Sequence, residues 1–222
     1  MTTTQNEYWD GVATSKTFSH PLQIEWLREF LGPDYAAAVI LDYGCGYGRS
    51  LSELSEAGFH NSIGADFSAG MLARSHQLVP QAQLIRCDGH TLPFASASID
   101  GVLLFALLTC IPESPVQKQL LAEVFRVLRP GGIVYISDLL INEDERNQAR
   151  YREFALKFSC YGVFELPEGV VVRHHTKEWI DELVRGFRPE KFEPFEVTTM
   201  NGNRSAAFQY VGRKPKPDEH QP

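Results

Sequence analysis

Leu41-Asp42-Tyr43-Gly44-Cys45-Gly46-Tyr47-Gly48-Arg49 is the stretch that decides how this chain is read. Three glycines at alternate positions follow the apolar run Ala38-Val39-Ile40-Leu41 and precede an amphipathic segment over residues 49–57. That order describes a buried strand handing over to a helix through a glycine loop. Glycines there let backbone N–H groups approach a ligand closely, beside a helix N-terminus. The spacing is G-x-G-x-G, not the G-x-G-x-x-G of a dinucleotide loop, and Asp42 stands just before it. A carboxylate in that place is awkward for a pyrophosphate and suits a cationic group such as an ammonium or a sulfonium.

Outward from the loop, the pattern repeats. Upstream, residues 20–31 read as a helix closed by Gly32-Pro33. Downstream, strands are expected over residues 62–66, 83–87, 101–107 and 133–139. Between them come a helix capped by Ser68 and a longer one from Ser114 or Pro115 to Leu128, stopped by Arg129-Pro130-Gly131-Gly132. Strands alternating with helices of this length imply parallel pairing in a doubly wound α/β sheet, both faces covered. The last third departs from the pattern. Residues 143–158 and 176–186 read as helices, and residues 160–175 show no regular period. Residues 195–200 and 205–211 flank Asn201-Gly202-Asn203, a hairpin signal, so an antiparallel pair closes one sheet edge.

Composition bounds the rest. The chain has 222 residues, 43% hydrophobic, with 21 Lys+Arg against 28 Asp+Glu and a net charge of -7. That is one ordinary domain with a core, not a nucleic-acid surface or an anionic-membrane binder. No apolar run spans a membrane, and residues 1–10 lack a signal-peptide pattern, so the expected location is cytoplasmic. Cys45, Cys87, Cys110 and Cys160 are scattered, with no spacing that makes a metal site. Reduced thiols and no metal are expected.

Two further acids complete a pocket. Asp66 ends the second strand about twenty residues past the loop, where a carboxylate accepts hydrogen bonds from both hydroxyls of a ribose. Asp88 follows the third strand in Cys87-Asp88-Gly89, placed for an adenine amine. With these motifs in order, residues 39–139 resemble the class I S-adenosylmethionine-dependent methyltransferases. The likeness is to their small-molecule group, which includes the ubiquinone/menaquinone-biosynthesis type. The resemblance rests on residues 41–49, Gly64-Ala65-Asp66-Phe67-Ser68, Cys87-Asp88-Gly89-His90-Thr91-Leu92-Pro93-Phe94, and Glu123-Val124-Phe125-Arg126-Val127-Leu128-Arg129-Pro130-Gly131-Gly132.

The resemblance implies a Rossmann-like, seven-stranded, mostly parallel sheet with an antiparallel C-terminal hairpin, and S-adenosylmethionine as cofactor. Gly44, Gly46 and Gly48 would line its methionine part, Asp42 would help hold its amino group, and Asp66 would bind the ribose. Phe67 or Met71 would pack on the adenine, and Asp88 and Gly89 would meet its edge. Leu104-Phe105-Ala106 would pass under the sulfonium. The His or His-His pair that relatives carry near Thr109-Cys110 has no counterpart here.

From the residues themselves, Cys45 and Cys87 are small buried side chains beside the cofactor. His174 and His175 are candidates for a general base, against the plainer reading of a locally bonded helix-start pair. Tyr8-Trp9 closes a lid or simply fills space. Residues 1–212 are expected to form one domain: a cofactor core at 39–139, an acceptor lid at 140–190 and a closing hairpin at 192–212, with a flexible tail at 213–222. The aromatic residues Phe154, Phe158, Tyr161, Phe164 and Trp179 give that lid an enclosed, partly apolar acceptor pocket. The partner is then a small-molecule acceptor, with no nucleic acid and no membrane. Amino-methylating enzymes that act on a flipped base show an Asn/Asp-Pro-Pro-aromatic run, absent from residues 105–112. A nicotinamide-dependent oxidoreductase fits the glycine spacing poorly, and a non-catalytic cofactor-binding module stays open.

Overall fold

The computed structural model describes residues 5–13, 15–17, 20–87, 91–199 and 201–217, the side chain of Asn6 excepted. In chain order the elements are α1 (Gln5–Val12), α2 (Ile24–Leu31), β1 (Val39–Tyr43), α3 (Arg49–Glu56), β2 (Asn61–Asp66) and α4 (Ala69–Leu78). Then come β3 (Gln83–Arg86), β4 (Ile99–Phe105), α5 (Ser114–Val127), β5 (Leu128–Leu139) and α6 (Glu145–Phe158). The chain ends with β6 (Val163–Glu165), β7 (Val171–Arg173), α7 (Lys177–Leu183), β8 (Arg188–Thr198) and β9 (Arg204–Arg213).

Seven strands form one sheet in the order β3-β2-β1-β4-β5-β9-β8. The first five pair in parallel, while β9 runs antiparallel to both β5 and β8. This is the expected doubly wound sheet with its closing hairpin. Its two cores follow from the two-residue period of a strand. In β4, Val102 and Leu104 face a cluster built on Leu120, Leu121 and Val124 of α5 and Ile180 of α7. Leu103 and Phe105, one residue out of phase, face Leu27 of α2 and Leu54 of α3 on the other side. Helices therefore shield both faces, and the loops at the carboxyl ends of the parallel strands are left to form a crevice.

Several boundaries differ from expectation, among them β4, which runs Ile99–Phe105 against the expected 101–107 because the chain turns at Ala106 with φ +52. Helix α2 begins at Ile24, not at residue 20, because Pro21 disfavours helical backbone at His20. That segment is tied to the sheet instead, His20 Nδ1 to Ser137 Oγ at 3.0 Å and Pro21 O to Gln209 Nε2 at 2.6 Å. Strand β5 starts at Leu128, directly from α5, since Gly131 and Gly132 exchange backbone hydrogen bonds with Lys214 and do not form a free turn. Residues 160–175 contain the small β6–β7 hairpin, whose three-residue strands are too short to show a period. The closing hairpin is longer than expected, and β8 tolerates Pro189 and Pro194 because it is the edge strand.

Candidate functional site

A cleft of about 670 Å³, its mouth included, opens over the ends of β1, β2 and β4. It is lined by Asp42, Gly44, Cys45, Gly46, Asp66, Phe67, Met71 and Phe105, all singled out from the sequence. Local hydrogen bonds explain the assembly. The N–H groups of Gly44 and Cys45 both donate to Ala65 O at the end of β2, at 2.8 and 3.1 Å. Asp66 answers from the same strand end, its Oδ2 accepting from Gly46 N and its Oδ1 from Ser68 N, both at 2.9 Å. Ser68 then caps α4 by accepting from Met71 N. One acid thus fixes the glycine loop against the next helix while keeping lone pairs for a ligand.

Asp42 is the electrostatic centre of the cleft. It is 2% exposed, and its Oδ2 has no hydrogen-bond partner. Burial pushes its carboxyl up to about 7 against the pull of the Arg49 guanidinium, with Asp66 adding repulsion. Burial also raises Asp66, opposed by its backbone donors. A buried carboxylate oxygen left unpaired is costly, and a cationic ligand group relieves that cost.

Two glycines show why the loop needs that residue type. Gly44 has φ +79, and a Cβ there would stand 2.8 Å from Leu107 Cδ1 on the cleft wall. Gly48 has φ +86, and its Cβ would strike Ser75 Oγ of α4 at 2.3 Å. Gly48 therefore serves the close seating of α3 on α4 and does not line the cleft. Cys87 does not line it either; it is half-buried against the main core. Asp88 and Gly89 lie outside the described residues. Burial holds the thiols of Cys45 and Cys110 well above their ordinary range, so neither is a thiolate nucleophile.

Beyond Ala106 the cleft continues into a second cavity of about 760 Å³. Trp9, Ala106 and Cys110 line both spaces. Ala106 ends β4 in the left-handed region at φ +52, held there by its N–H to Ser137 O at 2.8 Å. The second cavity is walled by α1, α6, the β6–β7 hairpin and the β8–β9 turn, and includes Phe164, Leu166, Val172, Arg146, Arg150 and His174. Of the aromatic residues expected around an acceptor, only Phe164 lines it. Trp179 packs instead against Arg173, whose guanidinium sits 4.6 Å from the indole and donates to Pro112 O and Ser114 Oγ.

The two histidines part company here. His175 is fully buried, with Nε2 3.0 Å from Gln117 Nε2 and Nδ1 3.1 Å from Leu139 O. Both ring nitrogens are engaged in the fold, and burial pushes the ring down to about 3. His174 lines the second cavity, with Nδ1 2.6 Å from Tyr151 OH. Asn142 Nδ2 also stands 3.2 Å from Nδ1, and an amide N–H can only donate, so Nδ1 is the acceptor for it and for the Tyr151 hydroxyl proton. Nε2 of the neutral ring then carries the hydrogen, since burial keeps His174 well below its usual range. His174 is a donor in this arrangement, not a base.

The N-terminal segment covers both spaces. Asp10 accepts from Ser68 Oγ and Gly70 N, Arg74 donates to Ala13 O and Lys16 O at 2.8 Å each, and Gln5 Nε2 donates to Val171 O at 2.7 Å. Trp9 is thereby held over the junction. Tyr8 is buried beside it, and its hydroxyl is pushed up to about 12, chiefly by burial. Sequence reasoning missed Arg49 and Ser50 in the first cleft and His20, Arg146 and Arg150 in the second. A helix spacing of four between Arg146 and Arg150 was the one available signal. Among the described residues no helix is long and apolar enough to cross a membrane, and no group of three His, Cys, Asp or Glu is placed to hold a metal ion.

Comparison with known proteins agrees with this architecture. Residues 41–136 match the model of the methyltransferase domain family. The chain is 34% identical to the demethylmenaquinone methyltransferase of Renibacterium salmoninarum, over 45% of this chain and 40% of that protein. It is also 34% identical to the trans-aconitate 2-methyltransferase of an Azoarcus species, over 53% and 45% of the two. The chain spans less than half the length of these curated relatives. In fold it is similar to a solved S-adenosylmethionine-dependent methyltransferase from Methanosarcina mazei, with a TM-score of 0.80 and 23% identity, covering 89% of this chain and 99% of that one.

Proposed function

We propose that this chain, whose residues 41–136 match the methyltransferase domain family, is a class I S-adenosylmethionine-dependent enzyme that transfers a methyl group to a small organic acceptor. The observation that carries the reading is Asp42 Oδ2, buried, unpartnered and facing a cleft that continues past Ala106 into a second cavity. S-adenosylmethionine supplies a methyl group already activated by its sulfonium. The residues present fit that cofactor: Asp42 offers an orphaned carboxylate to the ammonium of its methionine part, and Asp66 offers free lone pairs to ribose hydroxyls. Phe67 and Met71 provide apolar surface for the base, and Gly44 keeps the loop flat against Leu107.

What this chain contributes to the reaction is placement and dryness. Trp9, Ala106 and Cys110 line both cavities where they meet, and Trp9 covers that junction. Orientation of this kind supplies roughly 7–11 kcal/mol of a displacement barrier. His175 takes no part in proton transfer, because both its ring nitrogens serve the fold. We read residues 39–139 as the cofactor half, 140–190 as the acceptor lid and 192–212 as the closing hairpin. The acceptor is a small molecule, with no nucleic acid and no membrane as partner, consistent with the acidic balance and with a second cavity walled by α1, α6 and two hairpins. The relatives named above, on demethylmenaquinone and trans-aconitate, are consistent with a small organic acceptor.

Incubation with methyl-labelled S-adenosylmethionine and a fractionated metabolite extract tests this. Label should appear in a new small molecule and disappear with Asp42→Asn. Label that is bound and released without transfer would make the chain a cofactor-binding module; no retention of label at all would remove both readings.

A further inference from the structure

The second cavity carries a charge pattern that the methyl-transfer reading does not require. Arg146 and Arg150 stand four residues apart on α6 and line the same space. Like charges at that spacing on one helix face repel each other. No Asp or Glu lines the cavity among the described residues. Asp144 comes no nearer than 4.0 Å to Arg146, and its two oxygens are engaged by Asn147. Arg150 lies with its guanidinium 3.7 Å from the Phe164 ring centroid, and its Nε is buried without a hydrogen-bond partner. Stacking on Phe164 occupies one face of the guanidinium and the Tyr151 hydroxyl takes part of its edge, which leaves the unpartnered Nε and the rest of that edge for an acceptor. His174 adds a neutral N–H donor to the same wall, fixed as a donor by Tyr151 OH. The remainder of the wall is largely apolar, from Leu166, Val172 and Leu139.

We infer that this cavity binds its acceptor as an organic anion, an apolar body whose single oxyanion head, a carboxylate or sulfonate, is held by Arg150 and Arg146 with His174 as a further donor. The inference rests on reading the second cavity as the acceptor site of a methyltransferase, and it names the substrate class that this site selects. Arg150 is a specificity-determining residue here, since a forked guanidinium pairs two N–H groups with two oxygens of one oxyanion, which an uncharged head cannot match.

The test uses two probes with one aromatic frame, 8-anilinonaphthalene-1-sulfonate and the uncharged N-phenyl-1-naphthylamine, titrated by fluorescence into protein saturated with S-adenosylhomocysteine. The sulfonate should bind the unaltered chain at least about tenfold more tightly than the amine, which is one charge-assisted hydrogen bond in free-energy terms. Arg150→Gln should remove most of that preference while leaving the amine's affinity within about twofold, and Arg146→Gln should reduce it by a smaller factor. No preference in the unaltered chain, binding of neither probe, or a preference that survives Arg146→Gln/Arg150→Gln would overturn the inference. The unaltered chain decides the first two without any variant having to fold. Calorimetry with S-adenosylhomocysteine on the same samples separates the two readings. Binding retained while the anion preference is absent sinks this inference alone, whereas no binding sinks the proposed function beneath it.

Discussion

On one side of Ala106 the cleft is edged by the carboxyls of Asp42 and Asp66; on the other, the cavity is edged by Arg146 and Arg150 and by no carboxylate among the described residues. The two spaces share Trp9 and Cys110, yet they are built in different ways. The first is assembled from neighbouring strand ends within residues 42–71 and from residues 105–110, tied by short backbone hydrogen bonds such as Gly46 N to Asp66. The second gathers walls from α1, α6, β7 and the closing hairpin, more than 150 residues apart along the chain. The first side suits a cation and the second an anion. The difference teaches that one fold can hold opposite charges in adjoining cavities when each sits on its own set of elements.

The largest expected effect tests that independence. Asp66→Ala removes the acceptor for two backbone N–H groups and the ribose partner together, and should weaken S-adenosylhomocysteine binding by about 100-fold, or about 3 kcal/mol. Binding of the anilinonaphthalenesulfonate probe should stay unchanged in the same variant. A parallel loss of both would mean the two cavities are a single site.

His175→Ala comes next. It removes a fully buried ring together with its contacts to Gln117 and Leu139 O and leaves a hole in the core, and should lower folding stability by about 2 kcal/mol, read from denaturant unfolding. Methyl transfer by the folded fraction should be unaffected. A rate that drops while stability holds would make His175 a participant in the chemistry and would blur the division between scaffold and second cavity.

The smallest effect falls on the boundary itself. Ala106→Gly removes a left-handed alanine and should raise the thermal midpoint slightly, by about 1 kcal/mol of stability, with both ligand affinities kept. A loss of stability would show that the Ala106 methyl group, and not its backbone, matters at the junction.

The contrast between the cavities also sets what was legible beforehand. The G-x-G-x-G loop, the acid before it and the acid ending β2 are close in sequence, and their spacing alone brings them together, so the first cleft could be read off nearly whole. Gly48 meets Ser75 of α4 and does not line the cleft, since spacing does not say which face of the loop a residue takes, and Cys87 beyond β3 packs on the main core. The alternation of strands and helices foretold the parallel sheet, and the Asn201-Gly202-Asn203 signal its closing hairpin. The second cavity was foreseen only as partly apolar. Its arginines sit on a charged helix that reads like any solvated face, and their common target exists only once residues 5–12, 163–173 and 198–205 converge. His20 was hidden the same way, placed by a bond to Ser137, 117 residues away.

Proton release on cofactor binding tests the central claim most directly. In the free fold Asp42 keeps its proton up to a pH of about 7, because burial raises its carboxyl above the ordinary range. A cationic ammonium requires the ionised form, so binding must expel that proton below pH 7, and affinity must rise with pH until the carboxyl is ionised without help. Calorimetric titration of S-adenosylhomocysteine at pH 6, repeated in buffers of different ionisation enthalpy, counts it. The account predicts close to one proton released per site from this group, falling toward zero by pH 8, and its loss in Asp42→Asn. Binding with no proton released at pH 6, or identical release from Asp42→Asn, would contradict it.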